Sequence, residues 1–167
     1  MKPVICLYAG SFDPVTNGHL GLIQKASERF DKVFVAVMRN PSKQGTFTID
    51  ERMQMLREVC KPFPNVQILT AEGLTSELAA QLNATVLLRG LRGTQDLDSE
   101  LTMARVNRRL NPALETIFLA PAEGCEDISS SLVRELASLG ADIDAFVPPQ
   151  VRDTIIQHYA KGGQNNG

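Results

Sequence analysis

The sequence predicts an α/β fold: a Rossmann-like, doubly wound, five-stranded parallel sheet in a single domain. Three observations lead there. Nearly continuous apolar runs alternate with segments of helical periodicity, the pattern of strands buried on both faces and joined by crossover helices. A length of 167 residues suits one domain with a sizeable core. The glycines, hydroxyls and basic residues that could handle a ligand fall just after apolar runs, where ligands bind in open α/β sheets.

The elements follow in order. "PVICLYA" (3–9) is the first strand, and Leu20, Ile23, Ala26 and Phe30 recur at helical spacing after it. "KVFVAVM" (32–38) is the second strand. Thr48 and Glu51 have the spacing of a capping box, and Met53, Leu56 and Val59 continue that helix. "VQILT" (66–70) is a third strand, followed by a helix over 74–82 and the strand "TVLLRG" (85–90). A longer, more polar helix is expected over 95–110, then the strand "TIFLAP" (116–121). Ser129, Ser130 or Ser131 can cap a helix that stops at Gly140. Pro148 and Pro149 open a last helix reaching about Tyr159. One domain is expected over 1–160, with "KGGQNNG" (161–167) a disordered tail.

Composition narrows the class. Hydrophobic content of 43% and charged content of 22% are ordinary for a soluble globular protein. A net charge of -2 gives no global drive toward nucleic acid or anionic membrane, and neither is expected as a partner. No apolar run approaches the roughly 20 residues that span a bilayer. The apolar start is cut off by Ser11, Asp13 and Pro14, so it does not read as a signal peptide. Cys6, Cys60 and Cys125 form no CxxC pair and are odd in number, which argues against a disulfide framework or a zinc site. A reduced, cytoplasmic protein is expected.

The segment "GSFDPVTNGH" (10–19) holds the first concentration of ligand-type residues. Gly10 lets the backbone turn or approach a ligand, and Asp13-Pro14 reads as a turn. Asn17-Gly18 can begin a helix with His19 in its first turn, where free N–H groups and the helix dipole favour an anion. Ser11 would add a hydroxyl and His19 an imidazole N–H. A plain strand-turn-helix with a capping histidine accounts for the same residues. Taken alone, Lys43 and Arg89 read as solvated charges and the serines at 129–131 as a helix cap, although Arg89 and Arg92 around Gly90 at a strand end shift the balance toward an anion. Asp96 and Asp98 fit a polar helix face better than a metal site, since "DLDSE" lacks the EF-hand pattern. His158 reads as a residue of the last helix.

"GSFDPVTNGH" resembles the T/SxGH-type signature of the nucleotidyltransferase superfamily, to which class I aminoacyl-tRNA synthetases also belong. A closer resemblance is to the bacterial phosphopantetheine adenylyltransferases. That family shows G-[ST]-F-D-P-x-[TH]-x-G-H near its start, then P-x-K, a strand ending R-G-[LI]-R, an N-R motif and I-S-S-[ST]. Here "NPSK" (40–43), "LLRGLRG" (87–93), "VNRRL" (106–110) and "ISSS" (128–131) follow in that order, and the resemblance spans roughly residues 4 to 160.

The resemblance implies transfer of the AMP moiety of ATP to 4'-phosphopantetheine, giving dephospho-coenzyme A and pyrophosphate. The attacking group is already a phosphate oxygen, with a second pKa of about 6, so no general base is needed. The residues must instead align two polyanions and stabilise charge at the α-phosphate. By resemblance His19 stabilises the transition state, with Lys43 and Arg92 beside it in the catalytic set. Ser11 would touch both reacting phosphates, and Lys43 and Arg89 would bind the phosphopantetheine phosphate. Thr75 and Asn107 would meet the pantetheine arm. Phe12, Gly90, Leu91, Arg92 and Glu100 would lie along the nucleotide. Cys125, Glu126, Asp127 and Ile128 would follow it, and Ser129, Ser130 and Ser131 would meet the β- and γ-phosphates.

Mg²⁺ is the implied cofactor, held through the ATP phosphates without protein ligands. A homohexamer and feedback binding of coenzyme A are implied in the same way. The chain departs from the family where aromatics are frequent, at Leu97, Ser99, Cys125 and Asp127. Two other readings compete: a nicotinamide or nicotinate mononucleotide adenylyltransferase or a cytidylyltransferase, and a non-catalytic nucleotide sensor on the same fold.

Overall fold

The computed structural model describes residues 1–162. In chain order the elements are β1 (Ile5–Gly10), α1 (Asn17–Ser27), β2 (Lys32–Arg39), α2 (Ile49–Cys60), β3 (Val66–Glu72), α3 (Thr75–Gln81), β4 (Val86–Gly90), α4 (Thr94–Leu110), β5 (Glu115–Leu119), α5 (Ser130–Ser138) and α6 (Pro149–Gly162). The strands form one parallel sheet in the order β3-β2-β1-β4-β5. The chain winds outward from β1 to β3, then restarts at β4 on the other side of β1. The loops after β1 and β4 therefore leave in opposite directions and open a crevice at the carboxyl edge, the switch point of a doubly wound sheet.

Strand alternation decides which helices cover which face. Cys6 and Tyr8 of β1, with Val33, Val35 and Val37 of β2, face Ile23 of α1, Leu56 of α2, Val133 of α5 and Ile155 of α6. Leu7, Ala9, Phe34 and Ala36 face the other way, onto Leu78 and Ala79 of α3 and onto Leu114. β1 and β2 are buried on both faces, so they read as unbroken apolar runs. Burial pushes the Cys6 and Cys60 thiols up to about 12, so both act as small core residues.

Several boundaries differ from the sequence reading. β1 starts at Ile5 because Val4 donates its N–H to the Asp31 carboxylate rather than to a strand. β3 runs on to Glu72, since Ala71 and Glu72 still pair with Met38 and Arg39. β5 stops at Leu119, and the carbonyls of Ala120 and Pro121 accept from Lys25 Nζ of α1 instead. The largest correction concerns the C-terminus. α6 continues through Lys161 and Gly162, which the sequence reading assigned to the tail. A lysine in the last turn complements the helix dipole and offsets the weak propensity of Gly162. The rest of the expected tail lies outside the described residues. His158 of α6 packs against Phe47 with the rings tilted, centroids 4.6 Å apart. No helix among the described residues is long and apolar enough to cross a membrane.

Candidate active site

β1 delivers the chain to the switch point, and Phe12 shapes the turn that leads from there into α1. Its ring is buried and its φ is +47°, a left-handed conformation held by packing. The ring lies edge-on to Tyr8 at 5.2 Å and to His19 at 4.9 Å between centroids. A Cβ at position 10 would sit 3.2 Å from that ring, so Gly10 lets the ring pack closely against the strand end. The Asp13–Pro14 peptide is cis. Thr16 then caps α1, its hydroxyl accepting the His19 N–H at 3.4 Å while the Thr16 N–H donates to His19 Nδ1 at 3.0 Å. The reciprocal pair is a capping box with histidine in the place usually held by Glu or Gln.

That arrangement fixes the chemistry of His19. With Nδ1 accepting, the neutral ring carries its proton on Nε2. Burial first, then the positive charges of Arg92 and Arg89, lower its pKa to about 4. The imidazole is therefore neutral at physiological pH and offers an N–H donor. Burial likewise pushes the Tyr8 hydroxyl pKa up, so it stays protonated.

Around His19 lies a cleft of about 400 Å³. It is lined by Ser11, Phe12 and His19 from the β1–α1 segment, Arg89, Gly90 and Arg92 from the end of β4, and Glu100 from α4. Cys125, Ile128 and Ser129 to Ser131 close it from the loop before α5. Arg89 is held firmly: Nε and Nη2 donate to Glu100 at 2.9 and 2.6 Å, and Nη1 donates to the Ala9 carbonyl at 3.1 Å. Arg92 donates to the Ile128 carbonyl at 3.4 Å and faces Asp96 at 3.6 Å. Ser129 caps α5, accepting from the Leu132 N–H, while the Ser130 hydroxyl donates to the Pro14 carbonyl at 2.7 Å. The serine triplet is thus both a helix cap and a wall of the cleft.

A second, narrower cavity of about 130 Å³ adjoins the first. Thr75 and Asn107 line it with Leu87, Met103, Ala104 and Thr116, and it shares Arg89 and Glu100 with the larger cleft. The Arg89–Glu100 pair therefore stands between a wide polar space and a narrow, more apolar one.

Four predicted residues do not line either cavity. Lys43 is exposed on the turn after β2. Leu91 spends its N–H on the Leu119 carbonyl at 3.0 Å, extending the sheet. Glu126 and Asp127 are exposed on the loop before α5. Conversely, Tyr8, Thr16, Asp96 and Arg134 line the large cleft without having been singled out for it. Arg134 donates to the Asp13 carbonyl at 2.7 Å and to the Ser131 hydroxyl at 3.2 Å. Its i+3 spacing from Ser131 was the available signal. No group of three or more metal-type side chains converges among the described residues.

The cytidylyltransferase-like family profile matches residues 7–136. A phosphopantetheine adenylyltransferase of Hahella chejuensis is 45% identical over 154 residues, covering 92% of this chain and 96% of that protein. One from Finegoldia magna is 44% identical over 159 residues, covering 95% and 98%. The chain belongs to the phosphopantetheine adenylyltransferase family. As a member it is a nucleotidyltransferase enzyme, and the cleft at the β1/β4 switch point is the candidate centre of that activity. Among solved structures, a nicotinic acid mononucleotide adenylyltransferase of Plasmodium falciparum complexed with NaAD superposes with a TM-score of 0.66. At 18% identity over 97% of each chain, that likeness shows the shared Rossmann-like fold of this phosphopantetheine adenylyltransferase relative.

Proposed function

We propose that this chain transfers AMP from ATP to 4'-phosphopantetheine, producing dephospho-coenzyme A and pyrophosphate for coenzyme A biosynthesis. The observation that carries the reading is the pair of cavities sharing Arg89 and Glu100. The wide polar cleft suits a nucleoside triphosphate, and the narrow cavity suits an extended amide-bearing arm. Their junction, marked by a fixed guanidinium, suits the phosphate that joins them.

In the reaction an oxygen of the phosphopantetheine phosphate attacks the α-phosphorus of ATP. One P–O bond forms, the α–β bridging P–O bond breaks, and pyrophosphate leaves with its electrons. No proton needs to move, so orientation and charge stabilisation carry the catalysis. The neutral His19 donates from Nε2 to the α-phosphate as charge builds there. Ser11 bonds to both reacting phosphates, and Arg89 and Lys43 hold the attacking one. Arg92 and the Ser129–Ser131 helix start meet the triphosphate, with Arg134 beside them. Thr75 and Asn107 hold the pantetheine arm. The carboxylates at the cleft, Asp96 and Glu100, face Arg92 and Arg89 and offer no protein ligand set for a metal. Mg²⁺ enters as part of the ATP substrate. A homohexamer, feedback binding of coenzyme A and a cytoplasmic location belong to the same proposal and rest on family membership.

The test supplies ATP, Mg²⁺ and 4'-phosphopantetheine and follows pyrophosphate release. Parallel reactions use nicotinamide mononucleotide, or CTP with glycerol 3-phosphate. Turnover with 4'-phosphopantetheine alone is the expected result. Turnover only in a parallel reaction overturns the substrate assignment, and binding without turnover in any reaction makes the chain a sensor.

A further inference from the structure

Asp13 and Arg52 form a buried ion pair beneath the site, each about 7% exposed. Asp13 Oδ1 accepts the Phe47 N–H at 2.8 Å and Oδ2 accepts the Thr46 N–H at 2.9 Å. Arg52 Nε stands 3.3 Å from Asp13 Oδ1 and donates to the Phe47 carbonyl at 2.8 Å. Arg52 Nη1 reaches the Ser11 carbonyl at 3.4 Å. Residues 46 and 47, just past the Lys43 turn, are thus tied to the segment carrying Ser11. The turn has its own internal frame: Lys43 donates its N–H to the Asn40 carbonyl, and Ser42 bonds twice to the Asn40 side chain. One end of this segment is held by β2, and the other by Asp13 and Arg52.

Stability alone is a weak reason for such a pair. Two charges removed from water recover little more than their desolvation cost, and packed apolar residues of similar volume do as well or better. What an apolar pair would not reproduce is the direction of the bonds. They connect two carboxylate oxygens to two successive backbone N–H groups, and one guanidinium to carbonyls of both segments.

We propose that the Asp13–Arg52 pair is a positioning device that clamps the Lys43 turn to the Ser11 segment, setting the reach of Lys43 to the phosphate of the phosphopantetheine. Arg52 touches no substrate; it acts through Lys43. The proposal rests on the reading of Lys43 given under the proposed function.

The experiment measures kcat and both KM values for the full chain and for Lys43→Ala, Arg52→Lys and the double variant, with thermal unfolding of each. Lys43→Ala should raise the phosphopantetheine KM by about tenfold or more, the usual effect of losing a charge-assisted contact. Arg52→Lys should raise the same KM severalfold and the ATP KM by less, through the Ser11 segment that Arg52 also meets. In the Lys43→Ala background Arg52→Lys should add much less, because the clamp then has no lysine to place and only its hold on the Ser11 segment remains. An equal factor with and without Lys43, or an equal rise in both KM values, overturns the proposal.

If Arg52→Lys does not fold, Asp13→Asn takes its place in the same cycle, since an amide cannot accept both N–H groups. Hydrogen exchange separates the clamp from the reading of Lys43. Asp13→Asn should speed exchange at Thr46 and Phe47 by about tenfold or more while β2 amides keep their protection. Unchanged exchange at Thr46 and Phe47 sinks the clamp even if Lys43 binds phosphate. Faster exchange with a Lys43→Ala KM equal to wild type keeps the clamp as a structural feature, but overturns the proposal through the failure of the Lys43 reading.

Discussion

The Thr16 N–H lies 3.0 Å from His19 Nδ1, and this single bond ties the start of α1 to the chemistry of the cleft. An accepting Nδ1 places the ring proton on Nε2, the nitrogen left for a ligand. Burial and the neighbouring arginines keep the ring neutral. His19 is therefore suited to donate a hydrogen bond throughout the reaction, not to exchange a proton.

His19→Ala should lower kcat by on the order of a hundredfold to a thousandfold, the effect of removing one donor to developing charge. Both KM values should change far less, because the contact strengthens in the transition state. Loss of its half of the capping box should also cost about 1 kcal/mol of stability. Kinetics and thermal unfolding on the same purified variant separate the two effects. A destabilised variant with normal turnover per folded molecule would leave His19 as a cap alone.

The depressed pKa of His19 also makes a stability prediction. The folded value is about 4 and the ordinary value is 6.5. Between them the unfolded chain binds a proton that the folded protein does not, so stability rises with pH through this window and levels off above it. Acidification from about pH 7 to about pH 4.5 should therefore destabilise the wild type more than His19→Ala, which lacks the group. Denaturant unfolding of both proteins across this range checks it. Parallel curves would show that other groups, not His19, set the acid limb.

Much of the framework is legible locally, and the remainder is not, for a physical reason. The Thr48–Glu51 capping box spans four residues and forms as its spacing predicts, with the Glu51 N–H on Thr48 Oγ1 at 3.2 Å and the Thr48 N–H on Glu51 at 2.7 Å. The apolar runs of β1 and β2 predict a two-sided sheet because they are short, rich in β-branched and aromatic residues, and separated by segments of helical period. The ties that build the cleft are long-range. Arg134 meets the Asp13 carbonyl across 121 residues, and Arg52 meets Ser11 across 41. Such partners depend on how α5 and α2 dock on the sheet, which no local pattern encodes. Arg89 illustrates the middle ground. Its place at a strand end pointed to an anion, but its bidentate pairing with Glu100 depends on the packing of α4.

That pairing gives Glu100 a role of its own. The resemblance placed Glu100 along the nucleotide, and the structure sets its carboxylate against Arg89 at 2.6 and 2.9 Å. If Glu100 works by orienting Arg89, Glu100→Gln should raise the phosphopantetheine KM by about tenfold, as expected for weakening a charge-assisted bidentate contact. The ATP KM should rise much less. Separate titration of the two substrates decides the matter, since a direct nucleotide contact would produce the larger loss for ATP.

Gly45 provides a test of packing that removes no charged group. A Cβ there would overlap the Arg52 guanidinium and lie 3.1 Å from Asp13 Oδ2. Arg52 is long and flexible in principle, but its head is held by the Phe47 and Ser11 carbonyls and the Asp13 carboxylate, so it cannot swing aside without breaking them. Gly45→Ala should therefore cost about 1–3 kcal/mol, the usual range for overpacking a filled site. Gly93→Ala is the comparison, because a Cβ there meets nothing within 4 Å and its backbone is extended at a φ of -173°. Gly93 is the N-cap of α4, where alanine caps less well than glycine, so this variant should lose less than about 1 kcal/mol. Urea unfolding of both variants at one pH reads the difference directly. Equal stability of the two would mean that Arg52 yields freely, and that the network under the Ser11 segment is looser than its hydrogen bonds indicate.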